Sequence, residues 1–131
     1  MTDKPCPFCT LLNERIVEEN KYALWIYDGF PVSEGHSLII PKRHVGSFFD
    51  ISQEERLDML ELLDKAKFAI EKMHSPDGFN IGINDGPAAG QTVSHLHMHL
   101  IPRYIGDVGD ARGGVRWIIP EKADYWSTRS S

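Results

Sequence analysis

Three histidines at alternate positions are the residues of this chain that could most clearly do chemistry. They lie in the segment His95-Leu96-His97-Met98-His99-Leu100-Ile101, in which each imidazole alternates with an apolar side chain. Because successive side chains of a strand point to opposite faces, this spacing places the three imidazoles on one face. A neutral imidazole is a nucleophile, a base and a metal ligand near pH 7. The pattern therefore predicts a reactive or metal-binding face, and not an ordinary polar strand surface.

A loop rich in hydrogen-bond donors directly precedes the histidines. Its sequence is Gly90-Gln91-Thr92-Val93-Ser94. Glycine lets backbone N–H groups approach an anion, and the side chains of Gln91, Thr92 and Ser94 add further donors. Next to a nucleophilic histidine, such a loop favours a phosphoryl group as the electrophile.

The histidine segment resembles the motif of the histidine-triad (HIT) family, which is His-x-His-x-His followed by two apolar residues, with x apolar. His95 to Ile101 matches this motif completely, and the similarity extends to Cys6–Cys9, Gly35–His44 and Gln91–Val93. The resemblance implies an α+β fold of the HIT type, an antiparallel sheet of about five strands with one long helix and a short one. It also implies that the chain pairs into a homodimer.

The resemblance assigns catalytic roles to four residues. His97 matches the nucleophile, which attacks the α-phosphorus of a nucleoside phosphate and forms a nucleotidyl-histidine intermediate that water then hydrolyses. His99 and His36 match histidines that contact the phosphate and stabilise the charge developing on its oxygens. Gln91 matches a residue near the bridging oxygen and the leaving group.

The resemblance also implies a set of substrate contacts. Asp28 stands where the family has a carboxylate that hydrogen-bonds the ribose hydroxyls, although an Asp before Gly29 is also an ordinary turn residue. Asn84 matches an amide that contacts the sugar or the phosphate. The predicted substrate-binding residues are Asp28, Asn84, Gln91, Thr92 and His99.

The run Leu100-Ile101-Pro102-Arg103-Tyr104 resembles the dinucleoside polyphosphate hydrolases more than the phosphoramidase branch. We therefore expect a nucleotidyl hydrolase acting on dinucleoside polyphosphates or related nucleoside phosphates. Arg103, Arg112 and Arg116 either contact the additional phosphates or are ordinary surface charges. The alternatives are a nucleotidyl transferase or phosphorylase, a phosphoramidase, and a nonenzymatic nucleotide-binding module.

The pair Cys6-x-x-Cys9 has the spacing of a zinc knuckle, and two further ligands would complete a tetrahedral site. Inert thiols remain an alternative, whereas a redox pair is disfavoured because no strand precedes the motif. HIT relatives with this pair bind zinc through it together with two histidines, which match His44 and His95. The resemblance thus implies one structural zinc ion bound by Cys6, Cys9, His44 and His95, while His74 matches no ligand.

Composition limits the other classes of function. The chain has 131 residues, 41% of them hydrophobic and 25% charged, which predicts one globular domain over residues 1–131. A net charge of -5 argues against a nonspecific nucleic-acid-binding protein. The sequence has neither a membrane-spanning apolar run nor a secretory leader, so we expect a cytoplasmic protein.

Hydrophobic periodicity predicts the elements that position these residues. Tyr22 to Tyr27 and Ser37 to Ile40, joined by a turn-rich loop, are typical of an antiparallel strand pair, and Ile16-Val17 of a further strand. Phe79 to Asn84 and Val93 to Tyr104 are typical of a second antiparallel pair. Pro41 closes the strand from Ser37.

A capping box, Ser52-Gln53-Glu54-Glu55, predicts a helix that begins at Ser52 and ends near His74. We expect the helix to cover the apolar face of the histidine strand. The three- and four-residue spacing of its apolar side chains predicts an inward face made of Leu57, Leu60, Leu63, Ala66, Ile70 and Met73.

Overall fold

A five-stranded antiparallel sheet forms the centre of the molecule in the computed structural model, which describes residues 5–127. The strand order is β1-β2-β3-β5-β4, so the two predicted pairs, β2 with β3 and β4 with β5, both form. The α+β architecture is therefore confirmed. The strands are β1 Ile16–Glu19, β2 Ala23–Tyr27, β3 Ser37–Pro41, β4 Gly78–Ile83 and β5 Met98–Arg103.

The long helix α1, Gln53–His74, begins where the capping box predicted. The Ser52 hydroxyl accepts from the Glu55 backbone N–H at 3.1 Å, and the Glu55 carboxylate accepts from the Ser52 N–H at 2.8 Å. After His74 the chain leaves the helix through Ser75 with a φ of 51°. A second helix, α2, is short and spans Pro120–Ala123.

The inward face of α1 is rotated from the predicted one. Met59, Leu62, Ala66 and Ile70 are fully buried, whereas Leu57 and Leu60 are exposed. Met73, at the last turn, is also exposed. The prediction was wrong at these three positions because the helix carries apolar residues on two faces, and periodicity alone does not tell which face meets the sheet.

The helix covers one face of the sheet, with Trp25, Ile39, Leu96, Met98 and Leu100 in the shared core. On the opposite face Leu24, Ile26, Leu38 and Ile40 pack with Phe8, Leu11 and Ile16 of the N-terminal segment. This second contact brings the Cys6–Cys9 segment to the sheet. Within residues 5–127, the structure has no helix with the length and apolar character needed to span a membrane.

The histidine segment is only partly a strand, which corrects the predicted span from Val93 to Tyr104. Strand β5 begins at Met98, and Met98 is the last residue paired on both sides, with Ile39 of β3 and with Ile83 of β4. Strand β4 ends at Ile83, opposite Met98, whereas β3 continues to Pro41 without pairing to the residues that precede Met98. His95 and His97 therefore lie in an irregular segment just before β5.

Candidate active site and metal cluster

A cavity of about 440 Å³ contains most of the predicted catalytic and substrate-binding residues. Five of them line it, and they come from four separate parts of the sequence: Asp28, Asn84, Thr92, His97 and His99. Phe8 and Phe30 supply aromatic walls beside them. The cavity combines apolar walls with a few converging polar groups, as small-molecule sites do.

A slightly larger cavity, about 480 Å³, lies along the turn that follows β5. Its main cation, Arg103, already bonds Asp107 through Nε at 2.8 Å and Asn80 through Nη1 at 2.6 Å. Arg112 bonds Asp110, and Arg116 donates to the carbonyls of Lys122 and Ala123. All three arginines are thus engaged within the chain, away from the residues lining the histidine cavity.

The His97 ring is oriented by its own backbone neighbour. Its Nδ1 lies 2.9 Å from the carbonyl oxygen of His95. Because a carbonyl only accepts, Nδ1 carries the proton and donates it, and a neutral His97 then keeps an unprotonated Nε2. This nitrogen is the one that can act as a nucleophile.

His99 lies beside His97, with 5.2 Å between the ring centroids. Burial lowers the pKa of His99, and the neighbouring His97 and His36 lower it further, against the opposing effect of Asp28. His99 is therefore neutral near pH 7. A neutral imidazole beside the nucleophile can donate a hydrogen bond to a phosphoryl oxygen through its single N–H.

His36 lies behind His99 instead of in the cavity wall, so far as the described residues define that wall. Its side chain is 3% exposed, and its Nε2 is 3.0 Å from His99 Nδ1 and 3.3 Å from Asp28 Oδ2. Burial lowers the pKa of His36, opposed by Asp28. The Asp28 Oδ1 atom accepts from the Phe30 N–H at 2.8 Å, so Asp28 both lines the cavity and forms its turn.

Gln91 is held by the backbone around it. Its amide nitrogen donates to the carbonyls of Gly46 and Val93, both at 3.0 Å, and its amide oxygen accepts from the Gly86 N–H at 2.7 Å. These bonds tie the glycine-rich loop to the segment after β3. In this conformation the Gln91 side chain positions the loop, and Gln91 is not among the described residues that line the histidine cavity.

The cluster Cys6, Cys9, His44 and His95 assembles as the resemblance implied. One donor atom from each residue lies within 4.8 Å of all the others. Cys6 Sγ is 3.4 Å from His95 Nδ1, and Cys9 Sγ is 3.2 Å from His44 Nδ1. A tetrahedral zinc ion with bonds of about 2.3 Å to sulfur and about 2.0 Å to nitrogen separates the two atom types by about 3.5 Å. The four residues therefore fit a metal of this kind.

Hydrogen bonds to neighbouring groups orient the residues of this cluster. His95 is fully buried and its Nε2 donates to the Pro41 carbonyl at 2.8 Å, so a neutral His95 presents the lone pair of Nδ1 to the cysteines. Burial also lowers the pKa of His95, which favours that neutral form. Next to His44, Arg43 donates to the buried Glu55 carboxylate at 2.9 and 3.1 Å and fixes this segment to the start of α1.

Sequence reasoning missed Phe8 as a site residue. The Phe8 ring contacts His95 and His97, with centroid separations of 5.9 and 5.2 Å. It therefore joins the metal cluster to the candidate nucleophile. Its position between the two cysteines was the available signal, because a loop that wraps a metal near the triad must bring its own side chains there.

Comparison with known proteins agrees with this geometry. The family model described as the HIT domain matches residues 11–106. The bis(5'-adenosyl)-triphosphatase of Saccharomyces cerevisiae is 36% identical over 127 residues, which are 95% of this chain and 58% of the yeast protein.

Solved structures show the same fold. A HIT family protein from Bacillus anthracis matches with a TM-score of 0.74 and 36% identity over 83% of this chain and 80% of that one. A zinc-bound histidine triad family protein from Mycobacterium smegmatis matches with a TM-score of 0.65 and 30% identity over 93% of this chain and 91% of that one. With its motif, fold and family match in agreement, this chain belongs to the histidine-triad family.

Proposed function

We propose that this protein is a nucleotidyl hydrolase that cleaves dinucleoside polyphosphates or related nucleoside phosphates at the α-phosphorus. The observation that carries the proposal is the His97 ring, whose Nδ1–H bond to the His95 carbonyl leaves Nε2 free beside the cavity. Similarity to the yeast bis(5'-adenosyl)-triphosphatase supports this substrate class.

The first step forms a bond between His97 Nε2 and the α-phosphorus. The bond from phosphorus to the bridging oxygen breaks, and the leaving phosphate takes the electron pair. The Nδ1 proton stays on the ring, where the His95 carbonyl stabilises the cationic imidazole of the intermediate. Water then attacks the phosphorus and releases a proton to solvent. The N–P bond breaks with its electron pair returning to Nε2, which restores His97 and frees the nucleoside monophosphate.

Neighbouring groups bind and orient the reacting phosphate. His99 is 5.2 Å from His97 between ring centroids and provides a donor for a phosphoryl oxygen. Thr92 and the Gly90 loop line the same cavity, as does Asn84. Asp28 lines the same cavity and holds its turn, and we assign its carboxylate to the ribose hydroxyls.

We further propose that Cys6, Cys9, His44 and His95 bind one structural zinc ion. Four protein ligands fill a tetrahedral shell, so the ion supplies rigidity and no activated water. The similarity to a zinc-bound relative supports this assignment. His95 and Phe8 hold the cluster against the nucleophile.

The same geometry suits three related reactions, so the test must separate them. The enzyme is incubated with P1,P4-diadenosine tetraphosphate in ¹⁸O-labelled water, with and without inorganic phosphate. A hydrolase yields AMP carrying the label together with ATP, whereas a phosphorylase yields ADP and ATP only when phosphate is present. Adenosine phosphoramidate in a parallel reaction reports phosphoramidase activity.

Two controls make the experiment decisive. The His97→Ala variant must lose turnover, which excludes a contaminating hydrolase, and wild-type enzyme stopped early must carry one nucleotidyl group by intact mass. Binding of the dinucleotide without any product would instead identify a nonenzymatic nucleotide-binding module and overturn the proposal.

We also propose that the chain acts as a homodimer, as one domain over residues 1–131, and in the cytoplasm. Free Cys6 and Cys9 beside histidine nitrogens support a reducing compartment. The excess of negative charge supports a small phosphorylated substrate in preference to nucleic acid.

A further inference from the structure

A backbone N–H in the loop between β2 and β3 forms a hydrogen bond with the buried His36. The Val32 N–H donates to His36 Nδ1 at 3.1 Å. The ends of the loop are closed by the Asp28 N–H, which donates to the His36 carbonyl at 3.0 Å. Gly35, with a φ of 90°, permits the turn, and a Cβ there would meet Ile70 at 3.1 Å. The donor is therefore held in a turn whose two ends are closed by a backbone hydrogen bond.

This bond determines where His36 carries its proton. A ring nitrogen that accepts from a backbone N–H has no proton of its own, so His36 is neither an imidazolium nor the Nδ1–H tautomer. Its single proton is on Nε2. Burial favours the same neutral state by lowering the pKa of His36.

The proton on His36 Nε2 then determines the tautomer of His99. His99 Nδ1 is 3.0 Å from His36 Nε2, and a second proton on Nδ1 would place two hydrogens between these nitrogens. A proton on His99 Nδ1 could not form a hydrogen bond with Asp28 Oδ2 instead, because these two atoms are 4.0 Å apart. His99 Nδ1 therefore accepts, and the His99 proton is on Nε2.

The same three atoms, His36 Nε2, His99 Nδ1 and Asp28 Oδ2, have separations of 3.0 to 4.0 Å that would also suit a metal ion. The Val32 N–H argues against that use. A metal at His36 Nε2 needs a lone pair on this nitrogen, and the proton could move only to Nδ1, which the backbone donor already occupies.

We propose that His36 is a positioning residue. It accepts a hydrogen bond from the Val32 N–H, donates one to His99 Nδ1, and thereby fixes His99 as an Nε2–H donor toward the reacting phosphate. This proposal rests on the proposed function and deepens it. The cavity then holds two imidazoles in opposite tautomers, His97 with a free Nε2 for attack and His99 with a protonated Nε2 for stabilising charge. A backbone group outside the cavity wall sets the second of these tautomers.

The direct test is the tautomer of each histidine in the substrate-free protein, measured by long-range ¹H–¹⁵N correlation spectroscopy at pH 7.5. We expect His36 and His99 to carry the proton on Nε2 and His97 to carry it on Nδ1, which is an internal contrast. An Nδ1–H tautomer at His36 or His99 would overturn the proposal. This readout needs no turnover, so inactivity on every nucleotide would reject the proposed function alone.

The Val32→Pro variant removes the N–H, while it also replaces the side chain and fixes φ of this residue. Val32→Ala is the control for the side chain, because it loses the valine side chain but keeps the donor. We expect Val32→Pro to shift His36 and His99 toward Nδ1–H and to lower kcat about 10- to 100-fold relative to Val32→Ala, with KM within about threefold. Val32→Ala should keep the wild-type tautomers. Identical tautomers and kcat in the two folded variants would contradict the proposal.

A second pair covers the case in which Val32→Pro does not fold. The amide of His36→Gln replaces the Nε2–H donor, whereas His36→Leu removes it. We expect His36→Gln to keep His99 as Nε2–H and to exceed His36→Leu in kcat by about tenfold. Zinc titration tests the alternative that these residues bind a metal. If a second equivalent of zinc per chain shifts the His36 and His99 resonances, the site is a metal site and the proposal is overturned.

Discussion

The Phe8 ring packs against the His97 imidazole, with the ring centroids 5.2 Å apart and the ring planes at 62°. Phe8 lies between the two cysteines of the metal cluster, and it also lines the nucleotide-sized cavity. One aromatic side chain thus connects the N-terminal metal cluster, the candidate nucleophile and the wall that would face the substrate.

We predict that Phe8→Ala lowers kcat about 10- to 100-fold, because an unsupported His97 ring samples orientations in which Nε2 misses the phosphorus. Steady-state kinetics on a dinucleoside polyphosphate would measure the change. Phe49→Ala is the matched control, since Phe49 is 75% exposed and outside the cavity. Wild-type kcat in Phe8→Ala would refute this role.

Replacing His97 by Ala should abolish turnover while nucleotide affinity stays within about tenfold, because the nucleophile acts in the transition state. His99→Ala should slow the reaction less completely, since it removes one donor to the phosphate. Kinetics combined with calorimetric binding of a nucleoside monophosphate would separate the two effects. Turnover that persists in pure His97→Ala would exclude covalent catalysis.

Serine at both cysteines, Cys6→Ser with Cys9→Ser, should release zinc, lower the melting temperature and reduce turnover only partly. The serine hydroxyls are poor zinc ligands, while His97 keeps its bond to the His95 carbonyl. Elemental analysis of protein purified without chelator would measure the metal. His74→Gln serves as the control, and its zinc content should equal that of wild type. Absence of near-stoichiometric zinc from wild type would reject the ligand set.

Acidification should destabilise the fold through His36 and His99, whose pKa values are lowered by burial from the ordinary 6.5. Below that value the unfolded chain takes up protons that the folded chain resists, so stability is lost as pH falls through this region and is retained above it. Urea unfolding between pH 7.5 and 5.5, in the double-serine background to remove the effect of zinc release, would measure the slope. His36→Gln should flatten it, and an equal slope would contradict the assignment.

We expect a homodimer, and the exposed apolar face of α1 is the surface that two copies would share. This face, made of Leu57, Leu60 and Phe68, has side chains that are 58%, 48% and 61% exposed. Such a face is costly to leave in water. Light scattering at micromolar concentration should give a dimer mass for wild type and a monomer mass for Leu60→Glu with Phe68→Glu. A wild-type monomer would refute the prediction.

The sequence by itself predicted the broad fold and the residues that are candidates for chemistry. Alternating histidines, the Cys6–Cys9 spacing and the capping box at Ser52 are local patterns with local physical causes, so they predicted the triad, two candidate metal ligands and the start of α1. The other two candidate ligands, His44 and His95, came from the family resemblance. The resemblance to the histidine-triad family supplied the α+β sheet, which the structure confirms.

Only the tertiary structure decided how these residues are used. His95 faces the cysteines while His97 and His99 face the cavity, because the pairing of β5 with both neighbours stops at Met98, where β4 ends, and the unpaired segment before Met98 bends. The contacts of Gln91 with Gly46 and of Val32 with His36 depend on backbone groups. Backbone donors and acceptors are the same in every residue except proline, so their placement follows from the folded chain and not from the order of side chains.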